Sequence, residues 1–521
     1  MNVYVGGDVR GIQDFIFASP RLLEMRGAST LLDLFDREVV GRLAAKHKGT
    51  KVFAGGGNFL VELPASNGAP AEEVAGPFIR DVKAAFFELT GGHEIVVEVE
   101  AEGEKGFPEA RKQLDRQIQV RKREPKALRA LASFPFLKRC ESCAREEADT
   151  FHGFKGDDRK LWIGPSCWGK RQMHGRLQKL NKEGRCEGVE VLGLDQTVPV
   201  PLPLEDLRQG ELPRTFQDLA KDDDLGLVVA DGNGLGEMFQ DLGRDRYDEL
   251  SKKVDRALKE ALRKALAEVF GENQEHWKAQ VLICGGDDLV VALPASKALC
   301  FARQLIGAFR VEHEGRQAGM SAGVVFVKPS FPFRTAHDLA EELLRGAKAW
   351  CRQDKQNRLA ALDFHRVLGT NVQDLAAERK ALFPADDDGV RDSWAYGAAG
   401  PYDEAGMEQL SKLVCLLRQL PKSQLGRLRE ILSPRDDSVV APDLDPDWQV
   451  PRRVIEELRY WRSRQAGQAG QKGLGKDQLL FGRDADPGLL VESKERGPKG
   501  NRNVHRWVLA DALRLAEQRE G

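Results

Sequence analysis

Two stretches of this chain spell nearly the same word, and that repeat limits its fold more than any other feature. Phe53-Ala54-Gly55-Gly56-Gly57-Asn58-Phe59-Leu60-Val61-Glu62-Leu63-Pro64 and Ile283-Cys284-Gly285-Gly286-Asp287-Asp288-Leu289-Val290-Val291-Ala292-Leu293-Pro294 both pass from an apolar run through a glycine turn into a second apolar run. Apolar runs joined by such a turn mark a β-hairpin. Before each hairpin lie a strand, Val3 to Gly7 or Leu227 to Ala230, and a helical stretch, from Ile12 to Phe35 or over 246–269. After the second come a strand at Ser321–Val327, a helix at Thr335–Trp350 with apolar positions 339, 340, 343, 344 and 347, and a strand near Leu359–Phe364. Strand, helix, hairpin, strand, helix is a ferredoxin-like order. The expected class is therefore α+β with two copies of one unit.

With 521 residues the chain exceeds one ordinary core, so further domains are expected. The copies occupy 1–130 and 223–370. Residues 131–222 form a small linker domain holding Cys140, Cys143, Cys167, Cys186, His152 and His174. Residues 371–521 read as a helical domain, from the periodicity of Met407–Leu417 and Leu425–Leu432. Loops rich in Pro and Asp interrupt it near 384–392 and 434–451, and 465–475 is rich in Gly and Gln. Eight cysteines are too sparse for a disulfide scaffold. A net charge of -2 excludes a globally basic nucleic-acid binder. Arg111 to Arg139 nonetheless carries ten basic and two acidic residues, which suits either RNA or partner contact or a solvated helix face. No run of about 18 apolar residues is present and the first residues lead straight into a strand, so a cytoplasmic protein without membrane contact is expected.

A turn carrying two carboxylates between buried strands suits one chemistry above all. Nucleotidyl transfer needs divalent ions, Mg²⁺ or Mn²⁺, held by carboxylate oxygens against the charge developing on the attacked phosphate. Asp287 and Asp288 supply two such groups, and Asp231, ending the first strand of the same copy, supplies a third. The Gly232 carbonyl is a further candidate ligand. Gly285 and Gly286 would let a triphosphate approach the backbone. The first copy carries Asn58 where the second has an acid, and reads as a unit that has lost its acids.

The words Val229-Ala230-Asp231-Gly232-Asn233-Gly234-Leu235-Gly236, Gly285 to Asp288 and Ser321-Ala322-Gly323-Val324 resemble the second palm of the large cyclase-polymerase subunit of type III CRISPR effector complexes. Gly11-Ile12-Gln13-Asp14-Phe15-Ile16 and Gly27-Ala28-Ser29-Thr30-Leu31-Leu32 are similar to that family's first palm. The resemblance implies synthesis of cyclic oligoadenylates from ATP when the complex has bound target RNA. Partners would be other effector subunits and, through them, crRNA and target RNA. It puts metal-site and catalytic roles on Asp231, Asp287 and Asp288, and the glycine turn against the nucleotide. Lys348 and Lys355 become candidate triphosphate contacts, and the degenerate first palm, with Asn58, would hold the acceptor nucleotide.

Three departures qualify the match. Asn233 stands where the family commonly has a second acid. No N-terminal HD nuclease domain is read, and His337-Asp338 lies within a helix, so no DNase activity is expected. Cys140-x-x-Cys143 is half of a tetrahedral zinc site, but the other half reads Gly164-Pro165-Ser166-Cys167 and lacks one thiol. His174 is the first candidate to complete the shell, with Cys186 and His152 as alternatives. Two other functions compete: a non-catalytic scaffold of such a complex, and a dinucleotide cyclase of the GGDEF kind.

Overall fold

The computed structural model describes residues 2–64, 69–124, 137–154, 157–202, 212–221, 223–273, 277–353 and 359–367, with scattered residues and three strands between 375 and 512. The chain divides into two compact units, Met1–Ala360 and Ala361–Gly521.

The first copy runs through β1 (Asn2–Val9), α1 (Ile12–Ile16) and α2 (Leu22–Leu34). A π-helical turn (Phe35–Val39) then leads to α3 (Val40–Lys46), β2 (Thr50–Gly55), β3 (Asn58–Pro64), α4 (Ala71–Thr90), β4 (Ile95–Ala101) and α5 (Gly106–Arg123). Its sheet has the order β2-β3-β1-β4. Next come β5 (Thr150–Phe154), β6 (Asp157–Ile163), α6 (Pro165–Glu183) and α7 (Phe216–Ala220).

The second copy comprises β7 (Leu225–Asn233), α8 (Leu235–Phe239), α9 (Arg244–Phe270), β8 (Gln280–Gly285), β9 (Asp288–Pro294), α10 (Ala295–Ala308), β10 (Val311–His313), β11 (Arg316–Val327) and α11 (Phe333–Gln353). Its strands lie in the order β10-β11-β7-β9-β8, so β8-β9-β7-β11 repeats the order of the first sheet. β7 is central and apolar without alternation because both its faces are covered, by α10 and α11 among others. Along α9, buried Leu250, Val254, Leu258, Ala261, Leu262, Ala265 and Leu266 fall at helical spacing on one stripe.

Ladder register makes the repeat precise enough to align single residues. Gly55 pairs with Asn58 across the first hairpin, and Gly285 with Asp288 across the second. On the neighbouring strand Asp8 stands opposite Asn58. In the second copy the ladder runs to Ala230 opposite Leu289, so Asp231 comes next, level with Asp288. Asp8 is thus the counterpart of Asp231, and the first copy, expected to have lost its acids, has kept one.

In the second unit the strand expected at Leu359–Phe364 forms at Ala361–Arg366 (β12). Buried Met407, Leu410, Val414 and Leu417 keep the expected helical spacing. A three-stranded sheet is also present, which that periodicity does not announce: β13 (Trp394–Ala398), β14 (Leu490–Gly497) and β15 (Gly500–Trp507), in the order β13-β15-β14. The loops at 384–392 and 434–451, the helical pattern at Leu425–Leu432 and the segment 465–475 lie outside the described residues. Among the described residues no helix is long and apolar enough to cross a membrane.

Candidate active site

Asp231 leaves the end of β7, and Asp287 and Asp288 stand at the β8–β9 turn. Asp231, distant in sequence from the other two, acts on both. Burial first, then the charge of Asp231 and a hydrogen bond with it, push Asp287 up to about 6, while Lys348 pulls the other way. Burial and then the charges of Asp231 and Asp287 push Asp288 up to about 7. Asp288 keeps some solvent access at the tip. Carboxylates crowded in this way resist joint ionisation unless a cation joins them. The donor set, hard oxygens on three acids, fits a divalent ion of the Mg²⁺ or Mn²⁺ type.

Neighbouring residues explain the convergence. A Cβ at Gly232 would lie 2.7 Å from Asp287 Oδ2 and 3.0 Å from its Cβ, so the absent side chain admits Asp287 beside β7. Asn233 faces elsewhere: its Nδ2 donates to Ser321 Oγ at 2.8 Å and to the Leu359 carbonyl at 2.9 Å. It is a structural tie, consistent with the missing second acid. Lys348, from α11, donates to Asp231 Oδ2. In this structure it therefore steadies that carboxylate. Lys355 lies outside the described residues.

The two hairpin tips meet back to back. A Cβ at Gly285 would fall 2.3 Å from the Gly56 nitrogen, and one at Gly56 would fall 3.2 Å from the Gly285 carbonyl. Gly285 is thus required by contact between the copies, and it also lines the cavity described below. Gly286 has φ +64° with open space about its Cα, so turn geometry and access to the cavity fix it.

Both tips open on a cavity of about 740 Å³ lined by Gly55, Gly56 and Asn58 from one copy and by Gly285 to Asp288 from the other. That volume suits a nucleotide. The Asn58 Oδ1 atom is buried with no hydrogen-bond partner among the described residues. Asp8 and Lys122 also line the space and are paired at 2.7 Å. Lys122 belongs to the last helix of the first copy, as Lys348 does in the second. Spacing alone does not find this pair, and ladder register does.

A separate cluster lies in the linker domain. Ligand atoms of Cys140, Cys143, Cys167 and Glu146 all fall within 4.8 Å of one another. Sulfurs around a tetrahedral zinc stand about 3.8 Å apart, the edge that follows from bonds of about 2.3 Å, so three thiols and a carboxylate fit the ion. Glu146 also accepts from the Ser166 and Cys167 amides at 3.2 and 3.1 Å, tying the knuckle to the start of α6. Crowding shows in the thiols: hydrogen bonds from Cys143 and Cys167 hold Cys140 low, and hydrogen bonding with Cys140 pushes Cys143 up to about 11.

His174, the expected fourth ligand, is not brought to this cluster. Its Nδ1 lies 3.4 Å from Arg26 Nη1, and burial, with Arg26 and Arg214, holds it down to about 3. His152 stacks on Trp168 at 3.8 Å between centroids, and Cys186 is also outside the group. Glu146 escapes a reading of spacing because an acid three residues beyond a CxxC looks like a solvated surface group.

The duplicated ferredoxin-like sheets, with acids gathered at a strand end and an adjoining hairpin tip, define a palm-domain protein with a nucleotidyltransferase-like fold. A comparison narrows the class for the second copy: residues 224–360 match the family model described as Cas10/Cmr2, second palm domain.

Solved structures share the fold. One is a Csm1–Csm4 cassette in complex with AMPPNP, 20% identical, covering 82% of this chain and 62% of that one, with a TM-score of 0.52. Another is Csm1 in T.onnurineus, 18% identical, covering 91% and 64%, with a TM-score of 0.50. A third is a Csm1–Csm4 cassette in complex with cA4, 19% identical, covering 88% and 67%, with a TM-score of 0.51. The chain spans less than two thirds of the first two. Comparison with curated proteins finds no match.

Proposed function

We propose that this chain synthesises cyclic oligoadenylates from ATP, as a subunit of a type III CRISPR effector complex in the cytoplasm. The observation carrying the proposal is the convergence of Asp231 on Asp287 and Asp288, the latter two lining a cavity shared by two palms. The similar structures, described as complexes with AMPPNP and with cA4, support the substrate class. Effector subunits, crRNA and target RNA are the partners this reading entails.

In the reaction proposed, a ribose hydroxyl oxygen of the acceptor bonds to the α-phosphorus of the donor. The α–β phosphoanhydride breaks, pyrophosphate leaves with the bonding pair, and the hydroxyl proton passes to solvent. Held by Asp231, Asp287 and Asp288, Mg²⁺ or Mn²⁺ would neutralise charge on the attacked phosphate and the leaving group. The chain's own residues mainly position the parts. Lys348 fixes Asp231, Gly232 admits Asp287, and the Gly56–Gly285 contact sets the two palms at one spacing. Zinc held by Cys140, Cys143, Cys167 and Glu146 would be structural.

Labelled ATP and GTP, supplied separately with Mg²⁺ or Mn²⁺ and with effector partners and target RNA, test the proposal. Product from ATP that Asp287→Ala/Asp288→Ala abolishes supports it. Product from GTP points to a dinucleotide cyclase, and no product with the complete complex points to a scaffold.

A further inference from the structure

The β5–β6 hairpin of the linker domain has two unlike faces. Thr150 stands opposite Ile163, Phe151 opposite Trp162 and His152 opposite Leu161. Opposed residues share a face and successive ones alternate, so Leu161 and Ile163 lie on one side and Phe151, Lys160 and Trp162 on the other. The first side is covered: Leu161 and Ile163 pack with Cys140 and Cys167, and His152 stacks on Trp168. The second side meets solvent, with Lys160 exposed and Phe151 50% exposed. A hairpin covered on one face ordinarily turns polar residues outward, and this one turns out two aromatic rings.

The rings form a pair, with centroids 4.9 Å apart and planes inclined by 35°. A lysine accompanies each. Lys138 Nζ lies 5.1 Å from the Trp162 centroid and Lys160 Nζ 5.9 Å from that of Phe151. Lys138 belongs to the basic stretch Arg111 to Arg139 and to the segment beside β6, where the Glu141 amide donates to the Trp162 carbonyl at 2.8 Å. The Glu141 carboxylate stands 3.7 Å from Lys138 Nζ and already accepts from the Trp162 amide at 2.7 Å. An ammonium has three donors, so Lys138 keeps donors for a further anion.

We infer that Phe151 and Trp162, with Lys138 and Lys160, form a platform on which unpaired bases of single-stranded RNA stack while the lysines take the adjoining phosphates. Every base has a π-face, so aromatic stacking holds single strands with little regard to sequence. Ammonium groups beside the rings suit the phosphate that follows each base. A folded protein fits less well, since docking on this face would bury two ammonium groups unless acids met them. Anchored through its covered face to the cysteine cluster, the hairpin presents both rings on a fixed support. That the strand is RNA rests on the reading of this chain as a subunit of an RNA-guided complex. The stacking geometry is independent of the cyclase activity.

The test is fluorescence anisotropy of an end-labelled, unstructured RNA of about 15 nucleotides, near the upper span of such sites, titrated with the full chain. Wild type is expected to bind the single strand at least tenfold more tightly than the same sequence in a duplex, whose bases are not free to stack. Phe151→Ala and Trp162→Ala are each expected to weaken binding about 5- to 150-fold, the range for losing one stacked base. Phe151→Tyr and Trp162→Phe keep a ring and are expected to restore it. Lys138→Gln/Lys160→Gln should lower the slope of log affinity against log salt by about 1.4, the value for two phosphate contacts on a single strand. The inference is overturned if the full chain binds no single-stranded RNA, if the duplex binds as tightly, or if both alanine variants, folded by their thermal transitions, bind as wild type does. Binding of an effector subunit that the alanine variants lose, with RNA binding unchanged, also overturns it and gives the surface to a protein. If RNA binding behaves as expected but no product forms from ATP in the complete complex, the cyclase reading fails and the platform stands. Product from ATP with RNA binding unchanged in both alanine variants removes the platform and leaves the cyclase reading intact.

Discussion

Burial holds the Asp36 carboxyl up at about 8, with repulsion from Asp33 adding to it, and the Gly57 amide, Lys51 and Arg37 pulling it down. Its Oδ2 accepts from the Gly57 nitrogen at 2.8 Å, so a buried acid in the π-helical turn fixes the first-palm hairpin tip. The sign of the linkage follows. The folded value lies above the unfolded value near 4, so this group's contribution is full below about pH 4 and is lost as pH rises towards 8. Asp36→Asn keeps an acceptor for Gly57 and removes the charge. It is expected to be more stable than wild type at pH 9, by about 1–3 kcal/mol, with no such advantage at pH 5. Urea denaturation at the two pH values measures this, and an equal difference at both would contradict the assignment. At this scale Asp287 and Asp288 were legible because glycine-acid turns have a local signature. Asp8 and Glu146 were not, because each acquires its meaning from a neighbour 50 and 21 residues away: Asn58 and Cys167.

Where elements meet, glycines that look alike separate into different roles. Gly285 faces the Gly56 backbone, which cannot yield as a side chain can, whereas Gly286 faces open space with a positive φ. Gly285→Ala is expected to cost about 1–3 kcal/mol by overpacking and to displace one tip from the other. Gly286→Ala is expected to cost about 1–2 kcal/mol through left-handed backbone strain alone, leaving the tip contact in place. Hydrogen exchange at the first-palm hairpin distinguishes them: faster exchange there in Gly285→Ala only is the expected result, and equal acceleration would refute the contact. The Cys140–Cys143 turn is also an element-level device. Ser142, inside the CxxC, donates to both Glu24 carboxylate oxygens at 2.6 Å, and Arg171 of α6 pairs with the same acid. The buried end of α2 thereby joins the cysteine cluster to the palm. Glu146→Gln, which leaves three thiols and an uncharged oxygen, is expected to lower zinc affinity at least tenfold, read by competition with a chromophoric chelator. Unchanged affinity would remove Glu146 from the shell. Strand and helix order in the palms could be read from the chain because buried strands and amphipathic helices differ in period. The sheet of β13, β14 and β15 could not, since Leu490 to Trp507 is rich in charged residues and lacks the apolar alternation that marks a half-buried strand.

Across the first unit, duplication followed by divergence gives a cavity with two unlike ends. Both palms keep an acid at the end of the first strand and a lysine from the last helix upon it, Asp8 with Lys122 and Asp231 with Lys348. Only the hairpin tips differ: Gly57-Asn58 in one palm, Asp287-Asp288 in the other. The two acids at one tip distinguish the end on which the proposed metal binding depends. Everything in the catalytic account depends on metal binding by Asp231, Asp287 and Asp288 together. Electron paramagnetic resonance of Mn²⁺, titrated into the full chain with the non-reacting analogue α,β-methylene ATP, measures this most directly. A saturable Mn²⁺ site present in wild type and lost both in Asp231→Ala and in Asp287→Ala/Asp288→Ala is the predicted result, and Mn²⁺ binding that is the same in all three proteins would contradict it.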